Sequence, residues 1–211
     1  NTIVKDGSGT VLPYAIWQKL MQTGEYNLRK VEGTNEFVAY QMNESEKARA
    51  AARKKVQMEA MPKPSVSSSF KEGEKFKGDR ITDINGNKYD LKTLSNKIYV
   101  LNFWFINCPP CRQEIPELNK LVEKYKENKD VVFLAISLDE KYDLKQFLKT
   151  TPFNYNIVDE GRFFQQKHGI DSYPTHVIVG KDGLIKFSTV GLAGNTVYWL
   201  EKTIIALVEA L

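Results

Sequence analysis

A nearly continuous run of apolar and aromatic residues, at 98–105, leads directly into the closely spaced cysteines Cys108 and Cys111. Such a run is typical of a central strand that is covered on both faces of a sheet. Behind the cysteines, apolar residues recur at spacings of three and four, which predicts an amphipathic helix over 109–126. A buried strand that meets a helix at a cysteine pair indicates an α/β domain with its chemistry at the junction.

Strand and helix patterns alternate from residue 81 to the end of the chain. The predicted strands lie at 81–84, 88–91, 98–105, 131–138, 176–179 and 184–190. The predicted helices lie at 109–126, 143–149, 161–167 and 195–211. This alternation favours parallel strands joined by helices, and the turn signal at 181–183 adds a final antiparallel pair. We therefore predict an α/β fold with a mixed central sheet flanked by helices.

A segment rich in proline and serine, at 62–69, is typical of a linker between folding units. Before it, short strands are predicted at 26–29 and 37–42, and a helix is predicted at 43–60 with Asn43 or Ser45 as its N-cap. The predicted organisation is a small N-terminal α+β region, a linker and a main domain, at 1–61, 62–69 and 70–211.

Composition excludes several classes of function. The formal net charge of +4 arises from 30 basic and 26 acidic residues, and no polybasic tract is present, so we expect no nucleic-acid partner. No run approaches the roughly 18 to 20 apolar residues that cross a bilayer. The first residues lack a signal-peptide pattern and an initiator Met, which is compatible with the removal of an upstream signal or anchor.

The spacing of the two cysteines suits thiol-disulfide exchange. This reaction needs one thiolate that attacks and a second thiol close enough to displace the mixed disulfide. At the start of a helix, unpaired N–H groups and the helix dipole stabilise the thiolate of Cys108, whereas Cys111 lies one turn inward and is expected to be less exposed. Pro109 and Pro110 fit the first turn, where a missing N–H costs no hydrogen bond. We expect Cys108 to attack and Cys111 to resolve.

The spacing of the cysteine pair allows two other interpretations, a static disulfide and half of a metal site. Two cysteines are too few for a structural zinc site with four such ligands, and the chain has only His168 and His176 to add. We expect each histidine to be a surface or packed residue, and we expect neither a metal nor any cofactor besides the disulfide.

Beyond these patterns, the chain resembles the TlpA/ResA-like branch of the thioredoxin superfamily at 102–116, Asn-Phe-Trp-Phe-Ile-Asn-Cys-Pro-Pro-Cys-Arg-Gln-Glu-Ile-Pro. The resemblance continues through the strand at 131–138, the tripeptide at 173–175 and the turn at 181–183, and it covers about 70–211. It implies a thioredoxin-like fold for the main domain. Nothing comparable covers residues 1–60.

The resemblance also implies a substrate-binding region at Tyr173, Pro174 and Thr175. In the family, the proline that matches Pro174 follows a cis peptide bond and lies beside the two sulfurs, and the backbone before it pairs with an extended client segment. An X-Pro bond is the only peptide bond that readily becomes cis, although only about 5 to 6% do so in folded proteins. Together with Pro109 and Pro110, these residues form the predicted substrate contacts.

Glu114 is the third predicted catalytic residue. It lies three residues beyond Cys111 and therefore on the same side of the helix, where similar proteins carry an active-site glutamate. We expect it to relay a proton, the alternative being a solvated helix glutamate. Asn102 replaces the buried aspartate that many thioredoxins carry, which leaves Glu114 as the better proton acceptor. Asn107 replaces the usual tryptophan before the first cysteine, which changes the surface that faces the substrate. Trp104 is predicted to pack in the core.

The function implied by the resemblance is reduction of client-protein disulfides in the bacterial cell envelope, by an exported or lipid-anchored protein. The electrons would come from a membrane-bound or thioredoxin-like donor. A net oxidase or isomerase would use the same residues, because the direction depends on the relative stability of dithiol and disulfide. A peroxidase of the related peroxiredoxin fold is disfavoured. That family needs a Pro and a Thr leading to its peroxidatic cysteine, and neither residue leads to Cys108. In a non-enzymatic alternative, residues 1–60 recruit a partner and the disulfide is structural.

Overall fold

The structure is a computed structural model that describes residues 2–93 and 96–210. The chain separates into two compact units, Asn1–Ala60 and Met61–Leu211. Residue 1 of the predicted region 1–61, and residues 94, 95 and 211 of the predicted region 70–211, lie outside the described residues. No helix among those described is both long and apolar enough to cross a bilayer.

The first unit is a three-stranded sheet with two helices. Its elements are β1 (Ile3–Lys5), α1 (Tyr14–Thr23), β2 (Tyr26–Lys30), β3 (Glu36–Gln41) and α2 (Glu44–Ala60). The strand order is β1-β3-β2, with β2 and β3 antiparallel and β1 parallel to β3. The predicted hairpin and the predicted helix are confirmed, and Asn43 caps α2 by accepting a hydrogen bond from the Glu46 N–H at 2.9 Å. The sequence interpretation missed β1 and α1.

The second unit carries the remaining elements. They are β4 (Arg80–Thr82), β5 (Lys88–Asp90), β6 (Ile98–Trp104), α3 (Pro109–Tyr125), β7 (Val131–Ser137), α4 (Lys141–Thr150), β8 (Asn156–Val158), α5 (Arg162–Lys167), β9 (Thr175–Val179), β10 (Ile185–Val190) and α6 (Thr196–Glu209). The central sheet has the order β10-β9-β6-β7-β8, in which β6, β7 and β8 are parallel and β9 and β10 are antiparallel additions. The predicted mixed sheet is therefore confirmed, as is the hairpin of β4 and β5.

Strand β6 lies in the middle of the sheet, and all seven of its residues are buried. Because side chains alternate along a strand, Val100 and Trp104 join the core on the face that also holds both cysteines, whereas Leu101 and Phe103 join the core on the opposite face. Trp104 packs edge-on against Phe153, as a core residue should. The two cores explain why the run at 98–105 has almost no polar residue.

The proline- and serine-rich segment at 62–69 belongs to the second unit and contacts β10. The Val190 N–H and the Thr189 hydroxyl both donate to the Ser65 carbonyl, at 2.9 and 2.8 Å, and Ser67 is buried. The composition of this segment predicts a solvated linker, but the Ser65 carbonyl accepts hydrogen bonds from within the unit. The division into domains joined by a linker stays a prediction.

One glycine of the second unit has no room for a side chain. A Cβ on Gly78 would overlap the carbonyl oxygen and the Cβ of the buried Leu91. We expect Gly78→Ala to lower the free energy of unfolding by about 1 to 3 kcal/mol, the usual cost of overpacking, measured by urea denaturation. Gly194→Ala is the matched control, because only the flexible Met61 side chain lies close, at 3.2 Å. Equal stability of the two variants would contradict this account.

Candidate active site

The two cysteines lie at the carboxyl end of β6, where α3 begins. Cys108 is the N-cap of α3, with an extended backbone, and Pro109 and Pro110 occupy the first helical positions as predicted. Cys108 and Cys111 form a disulfide with their Cα atoms 5.3 Å apart. The Cys111 N–H donates a hydrogen bond to the Cys108 sulfur at 3.3 Å, so a helix N-terminal donor points at this sulfur.

The predicted difference in exposure between the cysteines is wrong, because each is 2% exposed. Phe105, Ile106 and Tyr173 pack against the core that contains both sulfurs. The rings of Phe105 and Tyr173 meet edge to face, with centroids 5.3 Å apart.

A carboxylate from the neighbouring strand holds the loop that precedes Cys108. The Ile106 N–H and the Ser137 hydroxyl both donate to Asp139 Oδ2, each at 2.7 Å. Asp139 follows the end of β7, and parallel strands bring their carboxyl ends to the same edge of a sheet, where ligand sites of α/β folds usually lie. Sequence reasoning did not single out Asp139, although its position after a buried strand was the available signal.

The predicted substrate-binding tripeptide lies immediately before β9. The Tyr173–Pro174 bond is cis, as the resemblance implied. Thr175 begins β9 opposite Phe103, and its hydroxyl donates to the Ser172 carbonyl at 2.7 Å. Burial raises the pKa of Tyr173, so its hydroxyl stays protonated near neutral pH. The predicted substrate contacts of these residues stay predictions.

Glu114 is buried and does not occupy the solvated position of the alternative interpretation. It is 5% exposed, on the same face of α3 as Cys111. Its Oε1 atom accepts from Asn102 Nδ2 at 3.1 Å and lies 2.9 Å from His176 Nε2. Glu114 Oε2 is buried and has no hydrogen-bond partner among the described residues.

His176 comes to this cluster from strand β9. It is 0% exposed, and the register of β9 and β6 places it beside Asn102. Its Nδ1 atom lies 3.3 Å from Asn102 Nδ2. The sequence interpretation expected a packed or surface histidine; it is packed, but the contact with Glu114 was missed, because nothing local joins residues 62 positions apart.

The remaining groups near the site set its chemical limits. Burial and then the charge of Glu114 hold the pKa of Tyr155 well above its ordinary value, so this phenol stays neutral. His168 packs against the rings of Phe70, Phe76 and Phe164 in the opposite core. Within the described ranges, no group of three His, Cys, Asp or Glu residues is arranged to hold a metal ion. The arrangement offers two sulfurs, a helix N-terminus and a buried carboxyl-imidazole pair.

Comparison with known proteins identifies the family of the chain and several named relatives. The AhpC/TSA family profile matches residues 72–188. The thiol-disulfide oxidoreductase ResA of Bacillus thuringiensis (strain Al Hakam) is 34% identical over 113 residues, which are 53% of this chain and 65% of that relative. The chain therefore spans slightly less than two thirds of the length of this relative.

Solved structures share the fold. The thioredoxin domain of a thiol-disulfide oxidoreductase from Bacteroides vulgatus is 22% identical, and the match covers 63% of this chain and 97% of that one at a TM-score of 0.55. StoA from Bacillus subtilis is 19% identical, and the match covers 60% of this chain and 95% of that one at a TM-score of 0.52. At these identities the likeness concerns the fold, which is thioredoxin-like.

Proposed function

Because the chain belongs to the AhpC/TSA family of thioredoxin-like proteins, we propose that it is a thiol-disulfide oxidoreductase that reduces disulfides of client proteins. The observation that carries this proposal is the Cys108–Cys111 disulfide at the N-terminus of α3, with a helix N–H directed at the Cys108 sulfur. A thiolate at that position is stabilised by the unpaired N–H groups and the helix dipole. The relatives named as thiol-disulfide oxidoreductases support the same reaction class.

The proposed reaction has two displacement steps. The Cys108 thiolate attacks one client sulfur, the client disulfide breaks, and the second client sulfur leaves as a thiolate that takes a proton. Cys111 then loses its proton and attacks the Cys108 sulfur, which releases the first client sulfur and forms the Cys108–Cys111 bond. The client gains two electrons and two protons, and the dithiol loses the same number.

The surroundings of the disulfide suggest how a client would be held. Pro109 and Pro110 border the disulfide on α3, and Tyr173 packs over the same core. An extended client segment would pair with the backbone before Pro174 and Thr175, as strand-addition complexes do. Phe105 and Tyr173, which pack against the core that contains the disulfide, would contact such a client.

The wider role proposed here follows the family resemblance. The protein would work in the bacterial cell envelope, as an exported or lipid-anchored protein, and a membrane-bound or thioredoxin-like donor would regenerate its dithiol. Electron flow in the opposite direction would use the same atoms, because a protein with a stable dithiol is an oxidant and one with a stable disulfide is a reductant. The redox midpoint, which decides the direction of electron flow, is therefore the quantity to measure.

The test is a redox titration of the full chain. The protein is equilibrated across a series of thiol/disulfide buffers, free thiols are trapped by alkylation, and modified cysteines are counted by mass. We expect a reversible two-electron transition with a strongly reducing midpoint. An oxidising midpoint would replace the reductase by an oxidase, and a disulfide that resists reduction until the protein unfolds would favour the structural alternative.

A further inference from the structure

The buried pair of Glu114 and His176 gives the second displacement step a specific proton acceptor. Cys111 is 2% exposed, so water has poor access to the proton that its thiol must lose before attack. Side chains three residues apart on a helix are neighbours, with Cβ atoms about 5 to 6 Å apart. Glu114 stands in that relation to Cys111 and is buried on the same face of α3.

The hydrogen bonds of Glu114 are concentrated on one of its two oxygens. Oε1 contacts both Asn102 Nδ2 and His176 Nε2, whereas the buried Oε2 has no partner among the described residues. A buried polar atom without a partner costs about 1 to 3 kcal/mol, so such an atom calls for an explanation. Oε2 is also the only carboxylate oxygen of Glu114 that is left to accept a proton.

The contacts of His176 suit one tautomer. A proton on Nε2 allows this atom to donate to Glu114 Oε1, and Asn102 Nδ2 lies 3.3 Å from Nδ1 and 3.4 Å from Nε2. In this tautomer the imidazole offers one donor and one acceptor, and its donor fixes the direction of the carboxylate. An apolar residue would pack in this core at lower cost, as Ile178 does two residues later on the same face.

We propose that His176 is a positioning residue that holds Glu114 through Oε1 and so presents Oε2 as the acceptor of the Cys111 thiol proton. This inference rests on the proposed function and refines its second step. The Cys111 proton moves to Glu114 Oε2, the thiolate attacks the Cys108 sulfur, and the bond between Cys108 and the client breaks. The client sulfur leaves as a thiolate, and Glu114 holds the proton until solvent or the leaving thiolate takes it.

The described titratable groups that share this core with the pair are few. They are Cys108 and Cys111 on α3, Tyr155 before β8, and Tyr125 and Tyr173, which pack against the same core. Tyr155 stays neutral because burial and the charge of Glu114 raise the pKa of its phenol. Burial raises the pKa of Tyr125 and of Tyr173, so these two phenols also stay neutral near pH 7. A pH dependence of the second step therefore reports on the cysteines and on the Glu114 and His176 pair.

The experiment follows the second step alone, with oxidised glutathione as the probe. Reduced full-length protein is mixed with it, the reaction is stopped with acid, and the adduct of Cys108 with glutathione is followed by mass across pH 5 to 9. We expect Glu114→Gln to slow decay of the adduct by about 10²-fold at neutral pH, the usual contribution of a general base. We expect His176→Asn to slow it by about tenfold, because the shorter amide does not reach Glu114 Oε1 and the carboxylate is kept but no longer directed.

The double variant and the pH profile distinguish an effect of His176 on the position of Glu114 from a loss of folding stability. If His176 acts through Glu114, adding His176→Asn to Glu114→Gln has no further effect on the rate, since coupled residues are not additive. Without Glu114, the rate should rise about tenfold per pH unit for as long as the Cys111 thiol is mainly protonated, whereas the parent rate should level off. Glu117→Gln, on the exposed side of the same helix, and His168→Gln should match the parent.

The possible failures can be told apart. If the parent forms neither the glutathione adduct nor the Cys108–Cys111 disulfide, the proposed function itself fails. If both steps proceed but His176→Asn matches the parent, or slows the reaction equally with and without Glu114, only the role of His176 is overturned. If His176→Asn does not fold, His176→Ala gives the same test, because it also removes the donor to Glu114 Oε1 and should slow the second step similarly.

Discussion

A chain that carries Cys111→Ser is expected to remain covalently bound to its client through Cys108. The first displacement needs only the Cys108 sulfur, which lies at the N-cap of α3 within 3.3 Å of the Cys111 backbone N–H. The second displacement needs a sulfur at position 111, and a serine hydroxyl is too weak a nucleophile to replace it. Turnover should fall by at least about 10³-fold, as it does when a nucleophile is removed. The adduct is measured by mass under non-reducing conditions, with a disulfide-containing peptide as client.

Cys108→Ser is the matched variant, because it removes one sulfur from the same disulfide and should form no adduct. Both cysteines are equally buried, so burial does not decide which sulfur attacks. The assignment rests on the helix N-terminus, which favours negative charge at Cys108. Adduct formation by Cys108→Ser at the rate of Cys111→Ser would reverse the two roles.

The sequence predicted most of the second unit because its signals are local. The apolar run at 98–105 and the spacing pattern at 109–126 correspond to β6 and α3 within a few residues. Strand β8 was missed because its three residues, Asn156–Val158, are too short for a periodic pattern. The helix α1 was missed although it begins directly after Pro13 and ends at Gly24, a proline and glycine arrangement that often bounds helices.

The candidate site was predicted only where its residues are close in sequence. Cys108, Cys111 and Glu114 lie within two turns of one helix, so their spacing revealed the arrangement. His176 and Asp139 reach the site from other strands, 62 residues from Glu114 and 33 residues from Ile106 respectively. Contacts between such distant residues depend on strand order and register, which local patterns in one sequence do not reveal.

Phe103→Ala is expected to destabilise the second unit more than any other single change argued for the fold. Phe103 is completely buried on the face of the sheet opposite the disulfide. Its ring stacks against Phe70 and Phe164, at centroid distances of 5.7 and 5.9 Å. Removing a buried phenylalanine ring costs about 3 to 5 kcal/mol, because transfer energy is lost and a cavity remains. Urea denaturation should report a loss of this size in the free energy of unfolding.

The matched control is Phe163→Ala on α5, since Phe163 is 77% exposed and adjacent to Phe164. Removing the same ring from the surface should change the free energy of unfolding by no more than about 0.5 kcal/mol. Phe103→Ala should also leave the redox midpoint close to that of the parent, because its side chain lies on the face away from the sulfurs. A large shift in midpoint without loss of stability would mean that the two faces of the sheet are not the independent cores described for this fold.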